Sequence, residues 1–262
     1  MKAYLKIYKM LLKINFSSLV MYRSNFINST LSSMAWAVFN FVGIIILTSR
    51  VSTVFGWKRE ELIVLTASFT ILTGIFHMLF SKNFERIPKL ANSGDLDRIL
   101  LYPIDSQFSV SFWEIHYSHL IRIPVGIGIL FYLFGLLKIS ITWQQIIMFM
   151  FFLVVGLIIQ YCIWFLATTI TVRLTRLSNI PEVLYSVTGI ARYPRELFRQ
   201  LTDYVFIFLL PLTLIIVTPV KVLFNQLTLS EIFLFFGVAI SFLYISRKFW
   251  KYSLRYYTSA SS

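Results

Sequence analysis

The chain has 262 residues, of which 58% are hydrophobic and 13% are charged, and its mean hydropathy is +0.76. Soluble domains are typically about a quarter charged, so this composition excludes an ordinary soluble protein and predicts an all-α polytopic membrane protein. A formal charge of +13 would indicate nucleic-acid binding in a soluble protein, but cytoplasmic loops of membrane proteins collect Lys and Arg, so we expect no nucleic-acid partner.

Residues 1–25 are predicted to form an amphipathic helix in the cytoplasmic membrane interface. Its lysines recur at helical spacing and form one cationic stripe, which consists of Lys2, Lys6, Lys9 and Lys13. Such a helix binds membrane lipid with its lysines toward anionic headgroups. Hydropathy does not distinguish a helix that also contacts a protein partner from a simple anchor.

Six membrane-spanning helices are predicted within residues 26–250, followed by a cytoplasmic tail at residues 251–262. Five of them are expected at Phe26–Ser49, Glu61–Phe80, Val110–Leu137, Trp143–Val172 and Leu229–Trp250. Both termini are expected in the cytoplasm of a plasma-membrane protein, because most Lys and Arg residues flank the spans on that side.

The remaining span lies in a region where arginines and prolines leave two topologies open. In the first, Leu177–Gln200 stays cytoplasmic and Thr202–Phe224 is a simple span. In the second, Leu177–Ala191 is the span, and Thr202–Phe224 forms a re-entrant pair of half-helices on the outer side. Irregular backbone at membrane depth is tolerated only where protein covers it or water reaches it. The prolines favour the second topology and the arginines favour the first.

The longest polar interruption, residues 82–108, separates the second span from the third. Gly94 follows Asn92 and Ser93, which is turn chemistry because glycine accepts a positive φ. Three apolar residues then fall at helical spacing and predict a short helix with one apolar side: Leu96, Ile99 and Leu100. Pro103 ends that helix. A short amphipathic helix on a water-facing loop suits docking onto a soluble partner, and a solvated helical connection is the alternative.

The first half of the third span carries an intramembrane polar cluster, which consists of Glu114, His116, His119 and Arg122. Charges at membrane depth are costly and usually face protein or water. The spacing does not match His-Glu-x-x-His, and the single cysteine, Cys162, lies in an apolar run, so we expect no metal site. We interpret the cluster as a group at headgroup level that contacts the loop, a partner or lipid phosphate. A membrane-embedded lipid-modifying enzyme is the alternative.

Two runs of residues resemble a known family. The run Gly94-Asp95-Leu96-Asp97-Arg98-Ile99-Leu100-Leu101-Tyr102-Pro103-Ile104 resembles the G-x-L-D-x-x-L-x-x-P-L loop of ABC-2 type permeases, in particular a branch long known as a domain of unknown function. The run Ala191-Arg192-Tyr193-Pro194-Arg195-Glu196-Leu197-Phe198, followed by Pro211 and Pro219, resembles that branch's A-x-Y-P…P…P pattern. Ile104 stands where the family often has Leu, and Tyr102 stands where it often has Arg. The resemblance covers essentially the whole chain in segment order.

The resemblance implies the membrane-spanning subunit of an ATP-driven exporter. The subunit would pair with a second permease, identical or related, and with two copies of an ABC ATPase that binds ATP and Mg, while this chain itself holds no cofactor. Gly94–Pro103 would be the coupling site, with Leu96–Leu101 as a coupling helix in a cleft of the ATPase. Ile99 and Leu100 would supply its buried contact, and Asp95, Asp97 and Arg98 would contact the rim. The sequence contains no G-x-x-x-x-G-K-[ST] loop, which agrees with a separate ATPase.

An amphipathic or lipid-like substrate, such as a drug, peptide or lipid, is expected to move outward beside the first and fifth spans. Ser33, Asn40 and Thr66 are the candidate polar residues on its path. A secondary transporter powered by an ion through Glu114 is a third interpretation, which the lack of internal repeats disfavours.

Overall fold

The computed structural model describes residues 2–49, 53–54, 56–137, 141–174, 177, 179–194, 196 and 203–257. The first helices are α1 (Lys2–Met21), α2 (Arg23–Leu47), α3 (Arg59–Phe76), α4 (Lys82–Ser93), α5 (Asp95–Leu100) and α6 (Ser106–Ser111). The later helices are α7 (Arg122–Leu137), α8 (Trp143–Arg173), α9 (Ile180–Thr188), α10 (Asp203–Leu223) and α11 (Leu229–Arg255). A π-helical turn at His77–Ser81 joins α3 to α4, and 3-10 turns at Tyr117–Ile121 and Gly189–Arg192 precede α7 and follow α9. Two short antiparallel strands, β1 (Thr53–Val54) and β2 (Trp57–Lys58), form a hairpin between α2 and α3.

Among the described residues, five helical segments are long and apolar enough to cross a membrane. They are Arg23–Leu47, Arg59–Ser93, Tyr117–Leu136, Trp143–Arg173 and Leu229–Arg255, and a shorter apolar segment runs from Leu210 to Leu223. This confirms the prediction of an all-α polytopic membrane protein.

The second span does not end at Phe80 as predicted, because the helix continues through the π-helical turn to Ser93. The hydropathy falls after Phe80 since α4 is amphipathic: Phe84, Ile87 and Leu90 are buried, and its charged residues lie on the other face. The polar stretch at residues 82–93 is therefore a helix and not a loop.

The third span begins at Tyr117 and not at Val110. The reason is that residues 112–116 bond to the second span instead of continuing a helix. The backbone N–H of Glu114 donates to Oδ1 of Asn83 at 2.8 Å, and the backbone N–H of His116 donates to the carbonyl oxygen of Met78 at 2.9 Å.

Residues 180–194 and Glu196 run antiparallel to α3 and α4 from one end of the bundle to the other. Tyr185 Oη donates to Oε1 of Glu85 in α4 at 2.6 Å, and Trp57 Nε1 of the hairpin donates to Oε2 of Glu196 at 3.1 Å. The described part of Leu177–Gln200 therefore does not stay on one side, which contradicts the first topology. Leu177–Ala191 as a crossing agrees with this path.

The residues that end the fifth crossing and the residues that follow α10 lie at the same end of the bundle, which is the end with the β1–β2 hairpin. Gln226, just after α10, donates through Nε2 to Oε1 of Glu61 at 3.0 Å, close to the hairpin that contacts Glu196. Glu196 and Gln226 thus lie at the same end of the bundle, as the second topology requires. The expected pair of half-helices is wrong in detail, because α10 is one helix with Pro211 and Pro219 inside it. Buried neighbours such as Ile215 and Ile216 hold it in place.

Small residues bring the spans close together. A Cβ atom on Gly126 of α7 would lie 2.5 Å from Cγ1 of Ile71 in α3, and a Cβ atom on Gly156 of α8 would lie 2.5 Å from the carbonyl oxygen of Ile215 in α10. Such approach is the usual way in which membrane helices pack. We call the end of the bundle that carries α4, α5 and α6 the α5 end, and the opposite end the hairpin end.

Candidate functional site

The predicted coupling helix exists as α5, and Gly94 adopts the left-handed conformation that its turn requires, with φ of 79°. Leu96 and Ile99 are fully buried in an aromatic cluster at the α5 end that also contains Phe84 and Trp164. Leu101 is 83% exposed and Leu100 is 37% exposed. The apolar side of α5 therefore anchors it to its own chain, and the leucines at its end face outward.

The placement of Ile99 corrects the expectation that this residue contacts a partner. Helical periodicity places Leu96 and Ile99 on one face but does not say what covers that face. In the structure α4 and α6 pack against α5, and Leu96 and Ile99 belong to the aromatic cluster that includes Trp164 of α8. Leu100 and Leu101 remain as the apolar surface of the loop, with exposed Asp95, Arg98 and Pro103 and half-buried Asp97 and Tyr102 around them.

The loop after α5 is fixed to the last span. Asp105 caps α6 by accepting from the backbone N–H of Phe108 at 3.1 Å, and it forms an ion pair with Arg247 of α11. Arg247 also donates through Nη1 to Oε1 of Gln107 at 3.0 Å, and Trp250 Nε1 donates to Oγ of Ser106 at 3.1 Å. The segment that contains α5 is therefore linked by direct contacts to α11 and, through α4, to the continuous α3–α4 helix.

The amphipathic helix α1 packs on the chain segment after α5. The rings of Tyr4 and Phe108 meet edge to face at 5.0 Å between centroids, and Tyr8 and Phe112 do so at 5.9 Å. Asn15 Nδ2 donates to the carbonyl oxygen of Trp113 at 3.2 Å. Lys6, Lys9 and Lys13 are exposed and lie away from this contact. The apolar side chains of Met10 and Ile14 are also exposed and lie away from it. One apolar face of α1 therefore docks on protein, and a second remains uncovered in this chain.

The predicted polar cluster of the third span divides into two groups. Glu114 and His116 precede the span, and Glu114 Oε1 accepts from Nη1 of Arg86 in α4 at 3.3 Å. The side chains of His116 and Glu114 lie 3.6 Å apart, between Nε2 and Oε2. Hydrogen bonding from His116 lowers the pKa of Glu114, burial raises it, and Arg86 lowers it further, so the net pKa lies below its ordinary value.

The second group is buried between α2, α7 and the π-helical turn. Arg122 donates through Nε to Oγ of Ser33 at 2.8 Å, and its Nη1 lies 3.3 Å from Nδ1 of His77. Oγ of Ser33 lies 3.0 Å from Nδ1 of His119. Ser33, which we expected on a substrate path, is thus a partner of Arg122 in a network that joins three segments. Across the described residues, no three His, Cys, Asp or Glu side chains come together as metal ligands would.

The other two expected substrate-path residues do come together. Asn40 of α2 and Thr66 of α3 line a cavity of about 120 Å³ near the hairpin end, with Arg192 and Tyr193. Arg192 donates through Nη1 to Oδ1 of Asn40. The part played by Arg192 was missed by sequence reasoning, although it lies in the second family-like run. Arg195, Leu197 and Phe198 of that run lie outside the described residues.

The pattern that defines the family described as ABC-2 family transporter protein matches residues 34–261, which cover α5, the cavity and every residue of the two polar groups except Ser33. The chain belongs to the ABC-2 family. Comparison with curated proteins and with solved structures gives no match.

As an ABC-2 permease, the chain is a multi-pass membrane component of a transporter and not itself an enzyme. Permeases of this family generally work with an ABC ATPase and often dimerise. Within the described residues, the groove that contains His116 is lined by α1, α2 and residues 115–118 and includes neither His119 nor Arg122.

Proposed function

We propose that this ABC-2 permease is the membrane subunit of an exporter, and that a separate ABC ATPase docks on α5 and the exposed Leu100 and Leu101. The observation that carries the proposal is the exposure of Leu101 on a turn whose buried side is rigidly anchored. An exposed apolar side chain ringed by charged ones has the composition of a protein contact.

The α5 end is cytoplasmic in this proposal. The first and last described helices reach that end: α1 packs on the segment after α5, and Arg173 stacks on tyrosines near the end of α11, with the guanidinium 4.6 Å from the ring of Tyr256. Two ATPase copies, which hold ATP and Mg, serve two permeases, identical or related. Closure of the ATPases pushes α5 and moves α3 and α11.

The cargo in this proposal is amphipathic or lipid-like, and it passes outward beside α2 and the fifth crossing in the plasma membrane. Asn40 and Thr66 line the cavity between these elements. The exposed apolar surface of α2 is where the cargo or the second permease lies, since only 22% of its most apolar stretch is buried.

The test is Leu101→Asp in a tagged chain purified from its native membrane. A charge at the centre of an apolar contact typically costs 2 kcal/mol or more, so we expect about a tenfold or greater loss of the co-purifying ATP-hydrolysing subunit. Asn92→Asp is the matched control, because it adds the same charge to exposed surface just before α5. Equal recovery of the ATPase with Leu101→Asp and Asn92→Asp would contradict the proposal.

A further inference from the structure

The cavity near the hairpin end lies at the level of the membrane-spanning helices, about two turns from their ends, and opens toward exposed Phe39 and Leu47 of α2. Asn40 is about 10 Å before the end of α2 and Thr66 is about 10 Å after the start of α3, at 1.5 Å per residue. Arg192 reaches this level at the end of the fifth crossing. A cation at such depth is costly unless it serves a ligand, an ion pair or a path.

Arg192 is not neutralised by the described residues around it. Its contacts there are the neutral oxygen of Asn40 and the ring of Tyr193, which lies 5.0 Å from the guanidinium carbon. Nε of Arg192 is buried and has no hydrogen-bond partner. Three half-buried cations differ: Lys221 pairs with Glu231 at 2.6 Å, Arg86 pairs with Glu114, and Arg247 pairs with Asp105. Buried Arg122 instead contacts Ser33 and His77, which occupy its guanidinium on both sides.

The cavity has room for the group that Arg192 lacks. One water needs about 10–15 Å³ measured in the same way, and the cavity has about 120 Å³. Gly43 lines it, and a Cβ atom there would meet nothing within 4 Å. Arginine binds carboxylates and phosphates with two parallel hydrogen bonds and is less strongly hydrated than lysine.

Apolar surface begins directly beside these polar groups. Phe39, Ile44 and Leu47 line the same cavity. Phe39 also lines a shallow apolar groove on α2, together with Leu31, Met34, Val38 and Val42. A ligand with its charged head at Arg192 would lay its tail along this groove.

We propose that the cavity binds the acidic head, a carboxylate or phosphate, of an amphipathic molecule, and that Arg192 is its charge partner. The proposal rests on the proposed function only in taking this molecule as cargo; the binding itself needs no ATPase. Asn40 positions the guanidinium, and Nε of Arg192 makes the second hydrogen bond to the head.

The test measures binding to the purified, delipidated chain in detergent, by calorimetry, with oleate, lysophosphatidate and uncharged oleyl alcohol as probes. We expect the two anions to bind at least tenfold more tightly than the alcohol. Arg192→Gln should weaken the anions by about ten- to hundredfold, and Arg192→Lys should restore part of the loss. Arg255→Gln is the control, since it removes an exposed arginine at the α5 end.

A second variant tests the cavity without touching the charge. Gly43→Leu should fill the space and also weaken the anions by about tenfold or more, while Gly237→Leu, at an exposed glycine of α11 with nothing within 4 Å, should not. Thermal melting of each variant shows whether it is folded. Unchanged anion affinity in Arg192→Gln and in Gly43→Leu would overturn the proposal, and so would equal binding of oleyl alcohol.

Two further arms identify the source of the acidic head. Competition by phosphatidylglycerol assigns the site to a membrane lipid, whereas competition by oleate without phosphatidylglycerol assigns it to a single-chain amphiphile. Saturation by inorganic phosphate alone at the same concentration would overturn the amphipathic ligand. Leu101→Asp should bind the probes like the unmodified chain, so loss of ATPase docking and loss of this site are separate results.

Discussion

Asp105 and Arg247 form an ion pair that ties the loop after α5 to the last membrane-spanning helix. The two residues are 142 positions apart in the sequence. Because α5 also packs on α4, which continues α3, one small surface element contacts two spans. Under the proposed function, this pair belongs to the transmission path and not to the docking surface.

Arg247→Gln should therefore uncouple the complex while leaving it assembled. The side chains of the pair are 39% and 32% exposed, so we expect a loss of about 1 kcal/mol or less in stability. ATP-driven transport should fall severalfold at unchanged ATPase recovery, measured in reconstituted vesicles. Lys248→Gln, one residue further along α11, is the matched control. Loss of the ATPase from Arg247→Gln would place this residue at the docking surface instead.

Lowering the pH should break the ion pair between Asp105 and Arg247. Burial alone would raise the pKa of Asp105, but hydrogen bonds from Arg247 and the Phe108 N–H lower it below its ordinary value of 3.8. A lowered folded-state pKa means that the contribution to stability is present above the ordinary pKa and is lost as the pH falls through the lower folded-state pKa. The difference in melting temperature between the unmodified chain and Asp105→Asn should be constant near neutral pH and shrink below about pH 4. A difference that grows in acid would contradict this.

Close approach of helices predicts a steric effect at Gly156. Its added Cβ would lie 2.5 Å from a backbone oxygen of α10, which cannot rotate away, so Gly156→Ala should destabilise the chain by about 1–3 kcal/mol. Gly135→Ala is the control, since nothing lies within 4 Å of a Cβ there. Thermal melting in detergent measures both. Equal melting temperatures would mean that α8 and α10 are less closely packed than described.

Much of this architecture could be predicted from the sequence, and the reasons for the exceptions are physical. Gly94 and Pro103 bracket α5 because turn and stop signals are local. The exposure of Leu101 and the burial of Ile99 were not predictable, because periodicity defines a face but not what covers it. The ends of the second and third spans were missed since amphipathic α4 lowers hydropathy and Asn83 captures the backbone of Glu114.

The contact of Arg192 with Asn40 had no local signal, because the residues are 152 positions apart. The arginines of this region favoured a cytoplasmic placement of Leu177–Gln200, whereas the structure places Arg192 beside Asn40 of α2. The hydrogen bond between Arg192 and Asn40 shows where Arg192 lies, which the amino-acid composition of this region does not.

The histidines of the former polar cluster provide a test against an enzymatic role. His116 lies beside Glu114 and His119 beside Ser33, so the two side chains have different partners. His116→Ala and His119→Ala should each leave ATP-driven transport within about threefold of the unmodified chain. The reason is that neither histidine joins two membrane-spanning helices through an ion pair. Transport is measured in vesicles. Loss of turnover by more than about a hundredfold with assembly intact would favour chemistry at these residues.

The most direct test of the account asks where Leu101 lies and what covers it. Cys162 is buried and is the single native cysteine, so Cys162→Ser gives a background for Leu101→Cys and, at the hairpin end, Trp143→Cys. A membrane-impermeant thiol reagent should label Leu101→Cys only from the cytoplasmic face and only when the ATPase is absent, and it should label Trp143→Cys from outside. Labelling of Leu101→Cys from outside, or equally with and without the ATPase, would contradict the account.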